Sequence, residues 1–213
     1  RIKQKSVVKA YGGNKKIHWM EIYAGQQALD ICGQLLPQES IDAMKKYRVS
    51  IKGPLTTPIG NGFKSINVSI RQQLDLFACV RPIRYFPGTN SPMVDSNLTD
   101  MVVFRENTED LYTGIEWKPG SDGAKKIIKF INDEFGESPF RFENDCGIGI
   151  KPVSREGSER LINMAIEFAL NEKKDSLTIV HKGNIMKYTE GAFRDWAYEL
   201  VEKKYHGSIN DDG

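Results

Sequence analysis

The 213-residue sequence has few cysteines, little net charge and no long apolar run, and each of these features argues against a class of protein. Its three cysteines, Cys32, Cys79 and Cys146, lie far apart and include no Cys-x-x-Cys pair. They therefore predict neither a disulfide framework nor a zinc site. A reducing compartment is the simplest setting for such a chain, and we expect it to be cytoplasmic.

The charge is nearly balanced. Thirty Lys and Arg residues against 28 Asp and Glu residues give a net charge of +2, far from the concentrated basic surface that nucleic-acid binding needs. No segment approaches the roughly 18 apolar residues of a membrane helix. We therefore expect neither a nucleic-acid nor a membrane partner. The N-terminus has no initiator Met and no signal-peptide pattern, which favours an internal piece of a longer subunit.

Apolar residues recur with strand and helix periods in alternation, which predicts an α/β architecture. The predicted helices cover residues 37–47 and 66–76, a long stretch after Ser154, and a last stretch ending near Gly207. The predicted strands cover residues 17–23, 49–52, 77–84, 101–106 and 177–181.

Residues 110–154 have a pattern of apolar residues different from that of the flanking sequence, and we interpret them as a semi-independent insertion. Strand-like patterns at 111–117 and 140–151 flank a predicted helix near 122–135. The apolar residues expected to face inward on that helix are Ala124, Ile127, Ile128, Ile131 and Phe135.

Ser65 is expected to open a helix with one apolar and one polar face. Ile66 and Ile70 lie four residues apart, so Asn67 and Arg71 share the opposite face. Two interpretations of Ser65 remain open. Its hydroxyl either simply caps the helix or, with the positive helix end, binds a carboxylate. Asn67 and Arg71 on the same face favour the second interpretation.

Two arginines interrupt apolar runs, Arg81 in Phe-Ala-Cys-Val-Arg and Arg105 in Met-Val-Val-Phe-Arg. A buried guanidinium needs an anion, and its planar fork suits a carboxylate. A structural Asp or Glu can equally supply that anion. Arg84 can be interpreted in this way, as a partner in an ion pair. Together with the polar helix face, these arginines predict a pocket for a small polycarboxylic acid.

Tyr112 and Lys182 are candidates for proton transfer. Lys182 follows the predicted strand at 177–181, and α/β proteins place ligands beyond such strand ends. A phenol or an amine can transfer a proton when charged neighbours tune it. Each residue also has an ordinary interpretation, Tyr112 as a core aromatic and Lys182 as a surface charge, so neither is convincing alone.

Four segments together carry a family resemblance. They are Ile51-Lys-Gly-Pro-Leu-Thr-Thr-Pro58, Ser65-x-Asn67, Phe104-Arg-Glu-Asn-Thr-Glu-Asp-Leu-Tyr112 and Val180-His-Lys-Gly-Asn-Ile-Met-Lys-Tyr-Thr-Glu-Gly191. The chain resembles the bacterial, homodimeric, NADP-dependent isocitrate dehydrogenases of the β-decarboxylating (isocitrate/isopropylmalate) dehydrogenase family, over essentially all of its residues.

The resemblance implies oxidative decarboxylation of isocitrate to 2-oxoglutarate and CO2 in the citric acid cycle, with NADP and Mg2+ or Mn2+. Tyr112 and Lys182 would be the catalytic proton-transfer residues, and Thr56 with Thr57 would meet the nicotinamide end of NADP. The residues that would bind the carboxylates of isocitrate are Ser65, Asn67, Arg71, Arg81 and Arg105.

The resemblance also implies a domain organisation and partners. Residues 1–76 would be part of a large domain, 77–109 with 155–213 part of a small α/β domain, and 110–154 a clasp that interlocks two subunits. Lys182, with Asn184, would reach into the partner's active site, so that each site needs two chains.

Two further expectations come from the same family. The aspartates that hold the metal are expected outside this sequence. Ser65 is expected to be a phosphorylation site for a regulatory kinase and phosphatase, because this serine is phosphorylated in enteric relatives.

Two alternatives remain. A 3-isopropylmalate or homoisocitrate dehydrogenase would share the arginines, the tyrosine and the lysine, but Ser65 and Asn67 suit a third carboxylate better than an apolar substituent. The other alternative is that the isolated 213-residue piece is non-catalytic and only dimerises or binds anions.

Overall fold

The computed structural model describes residues 2–55, 65–136 and 138–206. The chain divides into two compact units, Arg1–Leu74 and Asp75–Gly213. None of the described helices combines the length and the apolar character needed to cross a membrane.

The regular secondary structure in the described part of the first unit is helical. Its helices are α1 (Ile2–Ala10), α2 (Gln26–Cys32), α3 (Gln38–Tyr47) and α4 (Ile66–Gln73).

The core of this unit lies between α3 and α4, where Ile41, Ile66 and Ile70 are buried. The four-residue spacing of Ile66 and Ile70 puts both side chains on the face of α4 that packs inward, as predicted. The partly buried residues around them are Ala24, Leu35, Leu36, Met44, Leu55 and Leu74.

The second unit mixes short sheets with helices, in agreement with the α/β prediction. Its strands are β1 (Ala78–Arg84), β2 (Asp100–Glu106), β3 (Glu116–Trp117) and β4 (Ile148–Gly149). Its α-helices are α5 (Asp122–Phe135), α6 (Arg155–Asn171) and α7 (Ala192–Leu200). Single 3-10 turns occur at Ser96–Leu98, Asp110–Thr113 and Glu143–Asp145, and π-helical turns at Lys187–Gly191 and Val201–Tyr205.

Two antiparallel pairs form the described sheets, β1 with β2 and β3 with β4. In the longer pair, Cys79 lies opposite Arg105 and Arg81 lies opposite Val103. Behind this pair, the rings of Phe104 on β2 and Phe168 on α6 lie 5.3 Å apart, so aromatic packing holds the ladder against the long helix.

Helices α6 and α7 form the main core of the second unit through Ile162, Ile166 and Ala197. Helix α6 begins after Ser154, whose hydroxyl accepts a hydrogen bond from the Gly157 amide at 3.0 Å. Such a cap satisfies one of the amide groups that a helix start leaves unpaired. The predicted helix start after Ser154 is therefore confirmed.

Three predicted strands are wrong. Residues 17–23, 49–52 and 177–181 are irregular, and within the described ranges no strand pairs with them. Val49 is 84% exposed and Val180 is 83% exposed, so these apolar residues are not buried as the pattern suggested. A strand is stabilised by its neighbour, and an apolar run does not say whether a neighbour is present.

The region 110–154 contains less strand than predicted. The segment 111–117 begins as a 3-10 turn because Asp110 and Gly114 have φ values of 61° and 65°, which are incompatible with a strand. Of the segment 140–151, only Ile148–Gly149 is a strand. The predicted helix is confirmed as α5, but Phe135 at its end is 75% exposed instead of inward-facing.

Candidate functional site

Arg81 and Arg105 lie on the same face of the β1–β2 ladder. Arg105 pairs with Cys79, and Arg81 follows Cys79 by two residues on β1. Side chains opposite each other, or two apart on one strand, point to the same side of a sheet. The two predicted guanidinium groups are thus diagonal neighbours on one surface.

The Arg105 guanidinium lies over the ring of Tyr112, with its central carbon 5.2 Å from the ring centroid. One of its terminal nitrogens donates to the Asn107 side-chain oxygen at 3.4 Å. Asn107 is only 4% exposed and in turn donates to the Leu76 carbonyl at 3.4 Å. The arginine is therefore held from two sides, by an aromatic ring and by a buried amide.

The Nε of Arg105 is buried and has no hydrogen-bond partner among the described residues. A buried donor without an acceptor costs free energy, particularly on a charged group. An anionic ligand that accepted from this Nε would remove that cost. The arrangement fits a carboxylate at this position.

Arg81 is exposed and donates from its Nε to the Cys79 sulfur at 3.3 Å. This hydrogen bond and the charge interaction with Cys79 raise the pKa of the Arg81 guanidinium, with a smaller contribution from Tyr112. Arg84 lies on the opposite face of the strand, and its guanidinium stacks on Phe86 at 4.9 Å. Arg84 therefore does not share the surface of Arg81 and Arg105.

The other predicted carboxylate ligands lie together on α4 in the first unit. Ser65 precedes the helix, and its side chain makes no capping hydrogen bond. The simple-cap interpretation of this serine is therefore wrong. Asn67 and Arg71 are half-buried one turn apart, and the Asn67 side-chain oxygen is buried without a partner in the described part of the chain.

Lys182 lies in a turn after residues 177–181, and its side chain is exposed. The turn is closed by hydrogen bonds from the Ile185 and Met186 amides to the Lys182 carbonyl, at 3.3 and 3.2 Å. Asn184, the neighbouring residue expected to reach a partner subunit, is also exposed. Both side chains are accessible from solvent.

The predicted nicotinamide-binding residues, Thr56 and Thr57, lie outside the described residues. Across the described ranges, no three His, Cys, Asp or Glu side chains group closely enough to hold a metal ion. These side chains therefore do not fit a metal centre by themselves.

Sequence reasoning missed one partly buried ionic cluster near the proton-transfer candidates. Lys151 contacts the carboxylates of both Asp110 and Glu190. Lys151 ends the apolar run Ile-Gly-Ile just as Arg105 ends Met-Val-Val-Phe, so the signal that singled out Arg105 was present here too.

These placements define what the described residues can do chemically. One surface of the second unit carries two guanidinium groups and a phenol, which suits an anion with an adjacent proton-transfer step. The polar face of α4 offers a hydroxyl, an amide and a third guanidinium. Both sets favour carboxylates over apolar ligands.

Comparison with known proteins gives the same family for nearly the whole chain. The model of the isocitrate/isopropylmalate dehydrogenase family matches residues 3–210. Isocitrate dehydrogenase (NADP) 1 of Psychrobacter sp. (strain 13A) is 54% identical over 209 residues, 98% of this chain and 50% of that protein. The enzyme of the same name from Colwellia maris is 55% identical over 210 residues, 98% of this chain and 51% of that protein.

A solved structure agrees. The crystal structure of isocitrate dehydrogenase from Methylococcus capsulatus superposes with a TM-score of 0.75 at 35% sequence identity, covering 95% of this chain and 52% of that chain. The chain thus spans about half the length of the curated relatives it matches.

Proposed function

The chain belongs to the isocitrate/isopropylmalate dehydrogenase family, and on this basis we propose that the whole protein is an NADP-dependent isocitrate dehydrogenase of the citric acid cycle. It converts isocitrate to 2-oxoglutarate and CO2. The observation that carries the proposal is the buried, unpartnered Nε of Arg105 above the Tyr112 ring. A substrate carboxylate would accept from that Nε next to a proton-transfer group.

Five described side chains bind and orient the substrate in this proposal, and the guanidinium groups do so with rigid, bidentate geometry. Arg81 and Arg105 act from the face of the β1–β2 ladder. Ser65, Asn67 and Arg71 act from the polar face of α4. Each set consists of polar and cationic donors, which suit a carboxylate-bearing substrate better than an apolar one.

Tyr112 and Lys182 move protons. Oxidation of the substrate hydroxyl releases one proton, and the enolate left after loss of CO2 takes one up. A phenol and an amine held at the reacting carbons can exchange these protons. Arginine charge next to Tyr112 stabilises the negative charge that develops on the enolate.

NADP and Mg2+ or Mn2+ are part of the proposal. The oxidant of the substrate would be NADP, which would supply the hydride acceptor when bound. Thr56 and Thr57 are the proposed nicotinamide contacts. The described side chains do not fit a metal centre by themselves, so the proposed roles concern only substrate binding and proton transfer.

The test uses the whole purified protein with NADP and Mg2+ or Mn2+, and compares turnover of isocitrate with that of 3-isopropylmalate. We expect NADP reduction with isocitrate to have at least about a hundredfold higher kcat/KM. A preference for 3-isopropylmalate overturns the choice of substrate. Asn67→Leu, which replaces an amide by an apolar group of similar size, should lower kcat/KM for isocitrate.

We also propose a homodimer in which Lys182 and Asn184 serve the partner's active site, with residues 110–154 as the clasp between subunits. Near Lys182, the side chains of Val180, Ile185 and Tyr188 are 83%, 72% and 92% exposed. Several neighbouring exposed apolar side chains favour a surface that a second copy covers.

Sedimentation of the whole protein tests the dimer. The expected mass is that of two subunits, and Tyr188→Glu should shift the equilibrium toward monomers because it introduces charge into the covered surface. A monomeric unsubstituted protein at micromolar concentration contradicts the proposal. Activity that follows the fraction of dimer supports the shared site.

Ser65 is proposed as a regulatory phosphorylation site for a kinase and phosphatase. Its side chain is exposed and makes no capping bond, so the hydroxyl is accessible to an enzyme. A phosphate of roughly −2 charge would repel the carboxylate that the same residue binds.

A further inference from the structure

Lys151 lies in the segment that follows β4, and its side chain is only 18% exposed. Its ammonium nitrogen is 2.9 Å from an Asp110 carboxylate oxygen and also donates a hydrogen bond to Glu190. One partly buried cation thus joins two carboxylates that lie in different segments of the second unit.

Asp110 fixes the turn that carries Tyr112. It adopts a left-handed backbone conformation, with φ of 61°, and its amide donates to the Pro152 carbonyl at 2.9 Å. Its second carboxylate oxygen accepts from the Leu111 amide at 2.6 Å. Because the Asp110 carboxylate binds Lys151 as well, the 3-10 turn Asp110–Thr113 is tied to the position of Lys151.

Glu190 fixes the turn that carries Lys182. It lies in the π-helical turn Lys187–Gly191, and one of its carboxylate oxygens binds Lys151. The other oxygen accepts from the Lys182 backbone amide at 3.2 Å. The backbone of the proton-transfer lysine is therefore one hydrogen bond away from a carboxylate that Lys151 holds.

The link between Asp110 and Glu190 through Lys151, called the Lys151 bridge below, depends on the positive charge of Lys151. Burial lowers the pKa of Lys151, but its hydrogen bonds and charge interactions with Glu190 and Asp110 outweigh burial, so that the pKa is raised above its usual value. The ammonium therefore stays charged at neutral pH. Without it, two half-buried carboxylates would face each other with no cation between them, which is unfavourable.

We propose that Lys151 is a positioning residue for catalysis, whose ammonium group, held between Asp110 and Glu190, fixes two turns at once. One is the Tyr112 turn, which serves this chain's own site, and the other is the Lys182 turn, which serves the partner's site in the proposed dimer. The inference rests on the proposed function, in which Tyr112 and Lys182 transfer the protons. Lys151 itself is not placed on the substrate. It acts through the two carboxylates.

The first test is amide hydrogen exchange of the whole protein, resolved to residues 110–113 and 182–186. We expect Lys151→Met to speed exchange about tenfold in both segments, because both lose an anchor. Lys151→Arg keeps the cation and should stay near the unsubstituted rate. Lys129→Met is the matched control, since Lys129 pairs with Asp133 on the exposed side of α5, and it should change neither segment.

Two charge-removing variants of unchanged size keep the inference testable if Lys151→Met does not fold. Glu190→Gln should speed exchange mainly in 182–186, and Asp110→Asn mainly in 110–113. Unchanged amide hydrogen-exchange rates in both segments would contradict the claim that Lys151 anchors these two turns.

The second test is kinetic. Lys151→Met should lower kcat about tenfold or more while the KM for isocitrate changes less than about twofold, because the carboxylate-binding arginines are untouched. Lys151→Arg should recover most of kcat. Faster exchange with an unchanged kcat overturns the catalytic role of Lys151. If the unsubstituted protein fails to oxidise isocitrate, the proposed function falls, and hydrogen exchange still decides whether the bridge exists.

Discussion

Gly183 and Gly191 approach each other so closely that a Cβ atom on Gly183 would lie 2.9 Å from the Gly191 Cα. The same Cβ would lie 2.9 Å from the His181 Nδ1, which accepts a hydrogen bond from the Gly183 amide at 3.0 Å. Real Cβ atoms do not tolerate a backbone contact of this length. The backbone of the turn that begins with Lys182 therefore packs directly against the backbone of the turn that ends with Gly191.

Gly183→Ala should displace the Lys182 turn, because one of the two backbones must move. We expect kcat of the whole protein to fall about tenfold or more, with a smaller change in the KM for isocitrate. Steady-state kinetics checks this. Gly149→Ala is the control, since a Cβ there meets nothing within 4 Å. Equal kcat values for the two variants would contradict the expectation.

Arg105→Lys should weaken substrate binding, because lysine keeps the charge but loses the planar fork and the Nε donor. We expect the KM for isocitrate to rise about tenfold or more. The same substitution at Arg84, on the opposite face of β1, should change KM less than about twofold. A comparable effect at both positions would argue against a substrate site on the Arg81 and Arg105 face.

Ser65→Asp should reduce isocitrate affinity by placing a negative charge where a carboxylate binds. Ser65→Asn is the matched control, since it has nearly the same size without the charge. We expect the aspartate variant to bind isocitrate at least about tenfold more weakly than the asparagine variant, measured by titration. Normal affinity in Ser65→Asp would exclude the electrostatic mechanism.

The helices were predictable from sequence because their signals are local. Ile66 and Ile70 mark the inner face of α4 within one turn, and Ser154 marks the start of α6 immediately before it. The strands at 17–23, 49–52 and 177–181 were wrong for the opposite reason. A strand is stabilised by pairing with a neighbouring strand. A local run of apolar residues does not show which segment is that neighbour, or whether there is one.

The site was partly predictable for a related reason. Arg105 stands out because it interrupts an apolar run, and the structure places it over Tyr112. Lys151 gives the same signal, but its partner Glu190 lies 39 residues away along the chain. Many acidic residues are available at such separations, and only the fold selects one.

Gly157→Ala should destabilise the protein, although alanine normally stabilises a helix relative to glycine. A Cβ at Gly157 would lie 2.7 Å from the Glu109 carboxylate. Glu109 cannot move freely, because it accepts hydrogen bonds from the amide and the hydroxyl of Ser154 at 2.8 and 2.6 Å. Displacing it loses both bonds and disturbs the start of α6.

We expect Gly157→Ala to lower the free energy of unfolding by about 1–3 kcal/mol, measured by urea denaturation. Gly149→Ala should change it by less than about 0.5 kcal/mol. An increase in stability for Gly157→Ala would mean that Glu109 relaxes without losing its bonds.

Glu199 should make a pH-dependent contribution to stability. Hydrogen bonds from Arg155 and Lys203 lower the pKa of its carboxyl from 4.5 to about 2. Because the pKa is lower in the folded than in the unfolded protein, the carboxylate stabilises the folded state above about pH 4.5. This contribution is lost as the pH falls from about 4.5 toward about 2.

Glu199→Gln removes the titrating carboxyl group and so tests whether its stabilising effect is lost as the pH falls. The difference in urea midpoint between unsubstituted protein and Glu199→Gln should be larger at about pH 6 than at about pH 3. A Glu199→Gln difference that stays constant across this range would show that the ion pair with Arg155 does not persist in solution, where an exposed pair is strongly screened.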